Sequence, residues 1–102
     1  MNTNKNILTV KEIEEAVKPL AKKYHIVEVY LFGSYARGTA TEESDMDLLV
    51  IGENNFIPTK LFSFAEELRR ILQKDIDCYE IREINVGSDF YEEVMKERRL
   101  VA

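Results

Sequence analysis

Residues 31–50, LFGSYARGTATEESDMDLLV, constrain the fold more than any other stretch of the chain. An apolar run ends at Gly33. A turn with two glycines, a serine and an arginine follows, and a second apolar run is then entered through two aspartates at alternate positions. HIVEVYLFG, His25 to Gly33, is rich in β-branched and aromatic residues and predicts a buried strand. SDMDLLVIG, Ser44 to Gly52, predicts a second strand. Residues i and i+2 of a strand share a face. Asp45 and Asp47 therefore lie together, with Met46, Leu48 and Val50 turned to the opposite, core face.

The flanking sequence supplies helices. Thr9 to Glu12, TVKE, is a capping box, and Val10, Ile13, Val17, Leu20 and Tyr24 then recur at helical spacing. Pro19 falls inside this pattern. Its missing N–H and its clash one turn back predict a kink or a split into two pieces. Pro58 suits a helix start, and Leu61, Phe64, Ala65, Leu68, Ile71 and Leu72 form an apolar helical face. DIDCYEI, Asp75 to Ile81, predicts a third strand. Ser88 can cap a last helix from about Asp89 to Arg98, with Phe90, Val94 and Met95 inward. The order is helix, strand, short helix, strand, helix, strand, helix. It predicts an α/β or α+β domain with helices packed on one sheet face and the other face partly open.

Length and composition narrow the class. The chain has 102 residues, which fits one domain, residues 1–102, with one core. The sequence offers no repeat, linker or second domain, and no signal peptide or membrane-length apolar run. The single cysteine, Cys78, permits no internal disulfide, and the cytoplasm is the expected location. A net charge of -5 argues against direct nucleic-acid binding, which relies on Lys and Arg contacts to phosphates. It does not argue against a phosphate ligand held in one local pocket with metal ions.

The chemistry concentrates on two short segments. Asp45 and Asp47 would stand ~7 Å apart along a strand, where their repulsion is about 2 kcal/mol at an effective dielectric near 20. A cation between them reverses the sign, and oxygen-only ligands suit Mg²⁺. If the third strand is a sheet neighbour, Asp75 or Asp77, which share a face with Tyr79, can join them. Three carboxylates can hold two metal ions, an arrangement that activates an attacking oxygen and neutralises a transferring phosphoryl centre. Gly33 allows close backbone approach, the first N–H groups of the short helix after it favour an anion, and Ser34 and Arg37 add a donor and a charge for phosphate.

Taken singly, each of these residues has an ordinary explanation. Gly33 and Gly38 suit turn geometry, Asp45 and Asp47 suit a strand start and a solvated face, Ser44 is a loop hydroxyl, and Arg37 suits a surface ion pair. It is their joint occurrence at fixed spacing that points to a site. His25 reads as a strand-edge residue with no second histidine to complete a metal site, and Cys78 as a small core residue. The KERR run, Lys96 to Arg99, reads as a solvated helix end, where positive charge is favourable. Tyr24, Phe32, Phe62 and Phe64 read as core or its margin.

The motif Gly-Ser-x-Ala-Arg-Gly followed by Ser-Asp-x-Asp-Leu resembles the signature of the polymerase-beta-like nucleotidyltransferase superfamily, in the tight form of its minimal nucleotidyltransferase (MNT) family. The Pro19-bearing helix, the LFGS strand end, the DIDCYEI strand and the final helix fit the same layout, so the resemblance covers nearly the whole chain. It implies a small mixed β-sheet flanked by helices. It also implies that Gly33, Ser34, Arg37 and Ser44 bind the nucleotide triphosphate, and that Asp45, Asp47 and Asp77 are catalytic ligands of two divalent ions, Mg²⁺ or Mn²⁺. Asp77 matches the third acidic position, where it would help deprotonate the acceptor hydroxyl; Asp75 is held in reserve. The motif shows no departure that would mark an inactive enzyme.

The implied reaction is attack on the α-phosphate of ATP with release of pyrophosphate. Stand-alone MNT proteins of this size resemble antitoxins paired with all-helical HEPN toxins, in which AMP is attached to a tyrosine of the toxin. The leading expectation is therefore a protein adenylyltransferase antitoxin that forms a hetero-oligomer with its toxin. Two others stand beside it: a non-catalytic module that masks a partner by contact, and a nucleotidyltransferase acting on a small molecule such as an aminoglycoside.

Overall fold

A computed structural model describes residues 7–102. Helix α1 spans Val10–Lys23, strand β1 Ile26–Phe32, the short helix α2 Ser34–Arg37, strand β2 Met46–Gly52, helix α3 Pro58–Leu72 and strand β3 Ile76–Glu80. A 3₁₀ turn, Ile81–Glu83, leads on to helix α4, Asp89–Glu97, and to a two-residue strand β4, Arg99–Leu100. The sheet is mixed, in the order β3-β2-β1-β4. β1 is antiparallel to β2 and β4, and β2 is parallel to β3.

The predicted capping box closes α1: Glu12 N donates to Thr9 Oγ1 at 3.1 Å and Thr9 N donates to Glu12 Oε1 at 2.8 Å. Ile13, Val17, Leu20 and Ala21 are buried along one stripe. Pro19 does not split α1, which runs through it as one helix. Pro19 and Glu15, whose carbonyl loses its helical donor, are both exposed, so water can satisfy the freed acceptor.

Helices α1 and α3 cover one sheet face. Ile13, Val17 and Leu20 meet Val29, Leu31, Met46, Leu48 and Val50 there, with Phe64 and Leu68 packed alongside. Phe64 is fully buried, and burying such a side chain contributes about 2–3 kcal/mol. The second face is partly covered: Phe32 and Leu49 pack with Ile84 and with Val94 of α4. Phe90 stays 42% exposed yet meets Phe32 and Tyr79 edge-on, with ring centroids 5.8 and 5.5 Å away.

Several expectations need correction. His25 is not a strand-edge residue. It has φ 60° and joins α1 to β1 in a left-handed turn, with Nδ1 3.7 Å from Glu53 Oε2. β2 begins at Met46, leaving Ser44 and Asp45 just ahead of it, and β3 ends at Glu80. Phe62 and Ile71 are solvent-facing, 67% and 52% exposed, because α3 turns its Phe64–Ala65–Leu68 stripe to the sheet, with Leu61 and Leu72 at the margin of that core. The KERR run is not simply a helix end. The helix stops at Glu97, and Arg99 pairs with Leu31 as part of β4.

Candidate active site

The site lies at one end of β2, on the face that α4 partly covers. The antiparallel register sets Phe32 opposite Asp47, and the parallel register sets Asp47 opposite Asp77. Directly paired residues share a face, so the two carboxylates stand side by side next to the Phe32–Tyr79–Phe90 aromatic group. Asp45 lies two residues before Asp47 and is exposed.

The turn after β1 closes over the same place. Gly33 has φ 73° and caps α2, and Gly38 ends it in the left-handed conformation at φ 78°. A Cβ built on Gly33 would stand 2.5 Å from Asp47 Oδ2, so only glycine lets this turn approach the carboxylate. Ala36 N and Arg37 N both donate to Gly33 O. The predicted short helix is therefore present, with Ser34 and Tyr35 as its first two residues.

The electrostatics follow from the crowding. Burial pushes the Asp47 carboxyl above the usual carboxylate range; the charges of Asp77 and Asp45 push the same way, and Arg37 opposes them. The Tyr79 phenol is raised by burial and then by Asp77, Asp47 and Glu83, so it stays protonated. Desolvation pushes the Cys78 thiol up to about 12, which makes it a poor nucleophile.

Of the other predicted residues, Arg37 reaches back to α4. Its Nη1 donates to both carboxylate oxygens of Glu97 at 3.0 Å, and Gly33 N donates to Glu97 Oε1 at 3.3 Å. Ser44 is engaged locally: its Oγ accepts from Thr41 N at 2.8 Å. Asp75 and Asp45 together line a cavity of about 330 Å³ with Ser44, Arg69, Gln73 and Lys74. Lys74 Nζ braces this wall by donating to the carbonyls of Glu42 and Ser44 at 3.3 and 3.1 Å. Glu97 escaped the sequence reading because it was absorbed into a charged run. The available signal was an acid in the last turn of a helix, where the dipole disfavours it.

The donor set of Asp45, Asp47 and Asp77 is oxygen-only and mutually repulsive, which suits a hard divalent cation in kind. Among the described residues, no group of three His, Cys, Asp or Glu side chains is already gathered to hold an ion, so tight coordination calls for side-chain rotation.

A mixed sheet with a Gly-Ser turn packed on a strand-end carboxylate defines the nucleotidyltransferase class of fold. Comparison with known proteins agrees. The family model described as the nucleotidyltransferase domain matches residues 10–101, and the chain belongs to that family. It is 34% identical over 99 residues to MJ0604 of Methanocaldococcus jannaschii, assigned as a protein adenylyltransferase, covering 89% of this chain and 95% of that one. It is 36% identical over 75 residues to protein adenylyltransferase MntA of Thermococcus cleftensis, covering 70% and 76%. A solved structure assigned as a minimal nucleotidyltransferase superposes with a TM-score of 0.76 at 29% identity, covering 90% and 95% of the two chains. A complex of the tri-AMPylated Shewanella oneidensis HEPN toxin with its MNT antitoxin superposes with a TM-score of 0.69 at 19% identity, covering 92% and 72%, which supports the fold. No helix among the described residues is long and apolar enough to cross a membrane.

Proposed function

We propose that this protein, as a single cytoplasmic nucleotidyltransferase domain, transfers AMP from ATP to a tyrosine hydroxyl of a partner HEPN toxin and so acts as its antitoxin. The observation that carries the reading is the placement of Asp47, which is packed against the Gly33 turn on one side and level with Asp77 on the other. The relatives add the substrate class. MntA of Thermococcus cleftensis is named a protein adenylyltransferase, and the Shewanella oneidensis complex pairs an MNT antitoxin with an AMPylated HEPN toxin.

In this reading the turn binds and the strand ends act. Gly33, Ser34, Arg37 and Ser44 hold the triphosphate, with Arg37 pairing a phosphate oxygen. Asp45, Asp47 and Asp77 would hold one or two Mg²⁺ ions, which when bound neutralise phosphate charge. Asp47 gains most from a bound cation, since its charged form is the one that burial and its neighbours disfavour. Asp77 takes the proton of the acceptor hydroxyl. The acceptor oxygen bonds to the α-phosphorus as the bond to the pyrophosphate oxygen breaks, giving the AMP ester and pyrophosphate. Holding the reactants in line supplies much of the acceleration.

The test uses the purified protein with its co-encoded partner, Mg²⁺ and ATP labelled at the α- or the γ-phosphate. Label on the partner from α-labelled ATP alone is the expected result, and Asp45→Asn with Asp47→Asn should abolish it. A double variant that still neutralises the toxin would replace this reading with masking by contact. Label appearing only in an added small molecule would move the acceptor class.

A further inference from the structure

Glu97 sits where local helix energetics do not want it. It is the last residue of α4, where the backbone carbonyls carry negative partial charge and an acid is unfavourable. Its side chain is nevertheless only 19% exposed, against 50% for Arg37. The contacts that hold it are distant in sequence: two to Arg37 Nη1 at 3.0 Å and one from Gly33 N at 3.3 Å.

The cause is register. β4 pairs antiparallel with β1, Leu100 with Tyr30 and Arg99 with Leu31. This pairing sets the end of α4 beside the turn that follows β1, where Glu97 meets Gly33 and Arg37. The two-residue strand thus delivers one carboxylate to the rear of the phosphate turn. There it takes the Gly33 N–H and one end of the guanidinium. It leaves the N–H groups of Ser34 and Tyr35, which the helix cannot satisfy, and the remaining guanidinium edge, Nε and Nη2, which donates to no described residue.

We propose that Glu97 is a positioning residue for nucleotide binding: through its contacts to Arg37 and Gly33 it sets the guanidinium and the turn in the geometry that receives the triphosphate tail. The inference rests on the phosphate role given above to Arg37. A carboxylate gripping one guanidinium nitrogen restrains where the group sits and leaves its other edge, Nε and Nη2, for bidentate phosphate recognition.

The experiment is calorimetric titration of the full chain with Mg²⁺ and a non-hydrolysable ATP analogue, and separately with AMP. The proteins are wild type, Glu97→Gln, Arg37→Ala and the double variant, with melting temperatures recorded to confirm folding. Glu97→Gln is expected to weaken the triphosphate about tenfold and AMP less than about twofold, since AMP lacks the β- and γ-phosphates. In the Arg37→Ala background the same change should add little, because the two residues act as one unit. Should Glu97→Gln fold poorly, Glu97→Asp, which keeps the charge but shortens the reach, carries the same comparison. Tighter triphosphate binding by Glu97→Gln would overturn the proposal and make Glu97 a competitor of phosphate. Equal losses for AMP and triphosphate, or losses that add independently of Arg37, would also overturn it. A wild-type protein that binds neither nucleotide would overturn the nucleotide site itself, and with it this inference.

Discussion

A Cβ on Gly33 would lie 2.5 Å from Asp47 Oδ2, closer than a side chain can approach. Gly33→Ala therefore meets two penalties, the collision and a φ of 73° that alanine rarely adopts. Strain of this kind costs of order 1–3 kcal/mol. Chemical denaturation should show that loss, and AMP transfer should fall further than stability does, because Asp47 must move to relieve the contact. Unchanged transfer would mean the turn does not need its closeness to the carboxylate.

Asp47 is predicted to oppose folding when charged. Its folded carboxyl is raised above the unfolded value, so the native state holds its proton more tightly. Stability from this group is present below the unfolded pKa and is lost as pH rises through the folded one. Without divalent metal, Asp47→Asn should melt at a higher temperature than wild type at neutral pH, and the two should converge in acid. Added Mg²⁺ should raise the wild-type melting temperature and leave the variant nearly unmoved. A variant less stable than wild type at neutral pH would reverse the sign of the argument.

Glu67 carries the opposite dependence. Tyr24 Oη donates to its Oε1 at 2.6 Å and Lys23 Nζ at 3.0 Å, joining the end of α1 to α3. The Tyr24 hydrogen bond, then that of Lys23, holds the Glu67 carboxyl below its ordinary value. Its contribution is present above the unfolded pKa and lost as pH falls through the folded one. Glu67→Gln should lower the melting temperature at neutral pH and leave it unchanged in strong acid. A deficit persisting in strong acid would assign the effect to packing instead.

Phe64 tests the core that underlies the site. It is fully buried between α3 and the sheet, so Phe64→Ala should cost about 3–5 kcal/mol in urea unfolding. Phe62→Ala, two residues away and 67% exposed, should stay within about 0.5 kcal/mol. Similar losses at both positions would contradict the observed face of α3.

Much of this was legible in the sequence because it rests on short-range periodicity. The capping box at Thr9, the alternation from Met46 to Val50 and the Phe64–Leu68 stripe each need only neighbouring residues to specify them. The alternation was drawn one residue too far: β2 begins at Met46, so Asp45 precedes the strand and Asp47 alone of the two is held by its register. What escaped depends on partners far along the chain. Leu100 and Arg99 form a strand only because β1 offers an edge, and two residues carry no pattern of their own. The level pairing of Asp47 with Asp77 follows from a crossover whose register the sequence does not print. His25 read as strand because its apolar neighbours are strand, whereas a tight helix-to-strand connection required the left-handed turn.

The parallel pairing of β2 with β3 also fixes an order of events during synthesis. When Asp47 has left the ribosome, β1 and β2 can already zip together as a local antiparallel pair, bringing Gly33 to the carboxylate. Asp77 emerges after that, and Glu97 later again. A nascent chain that has only the first two strands carries the turn, Asp45 and Asp47, with no carboxylate on the β3 side of Asp47 and no Glu97 behind Arg37. Messages that end early would therefore yield protein with the motif but without the arrangement.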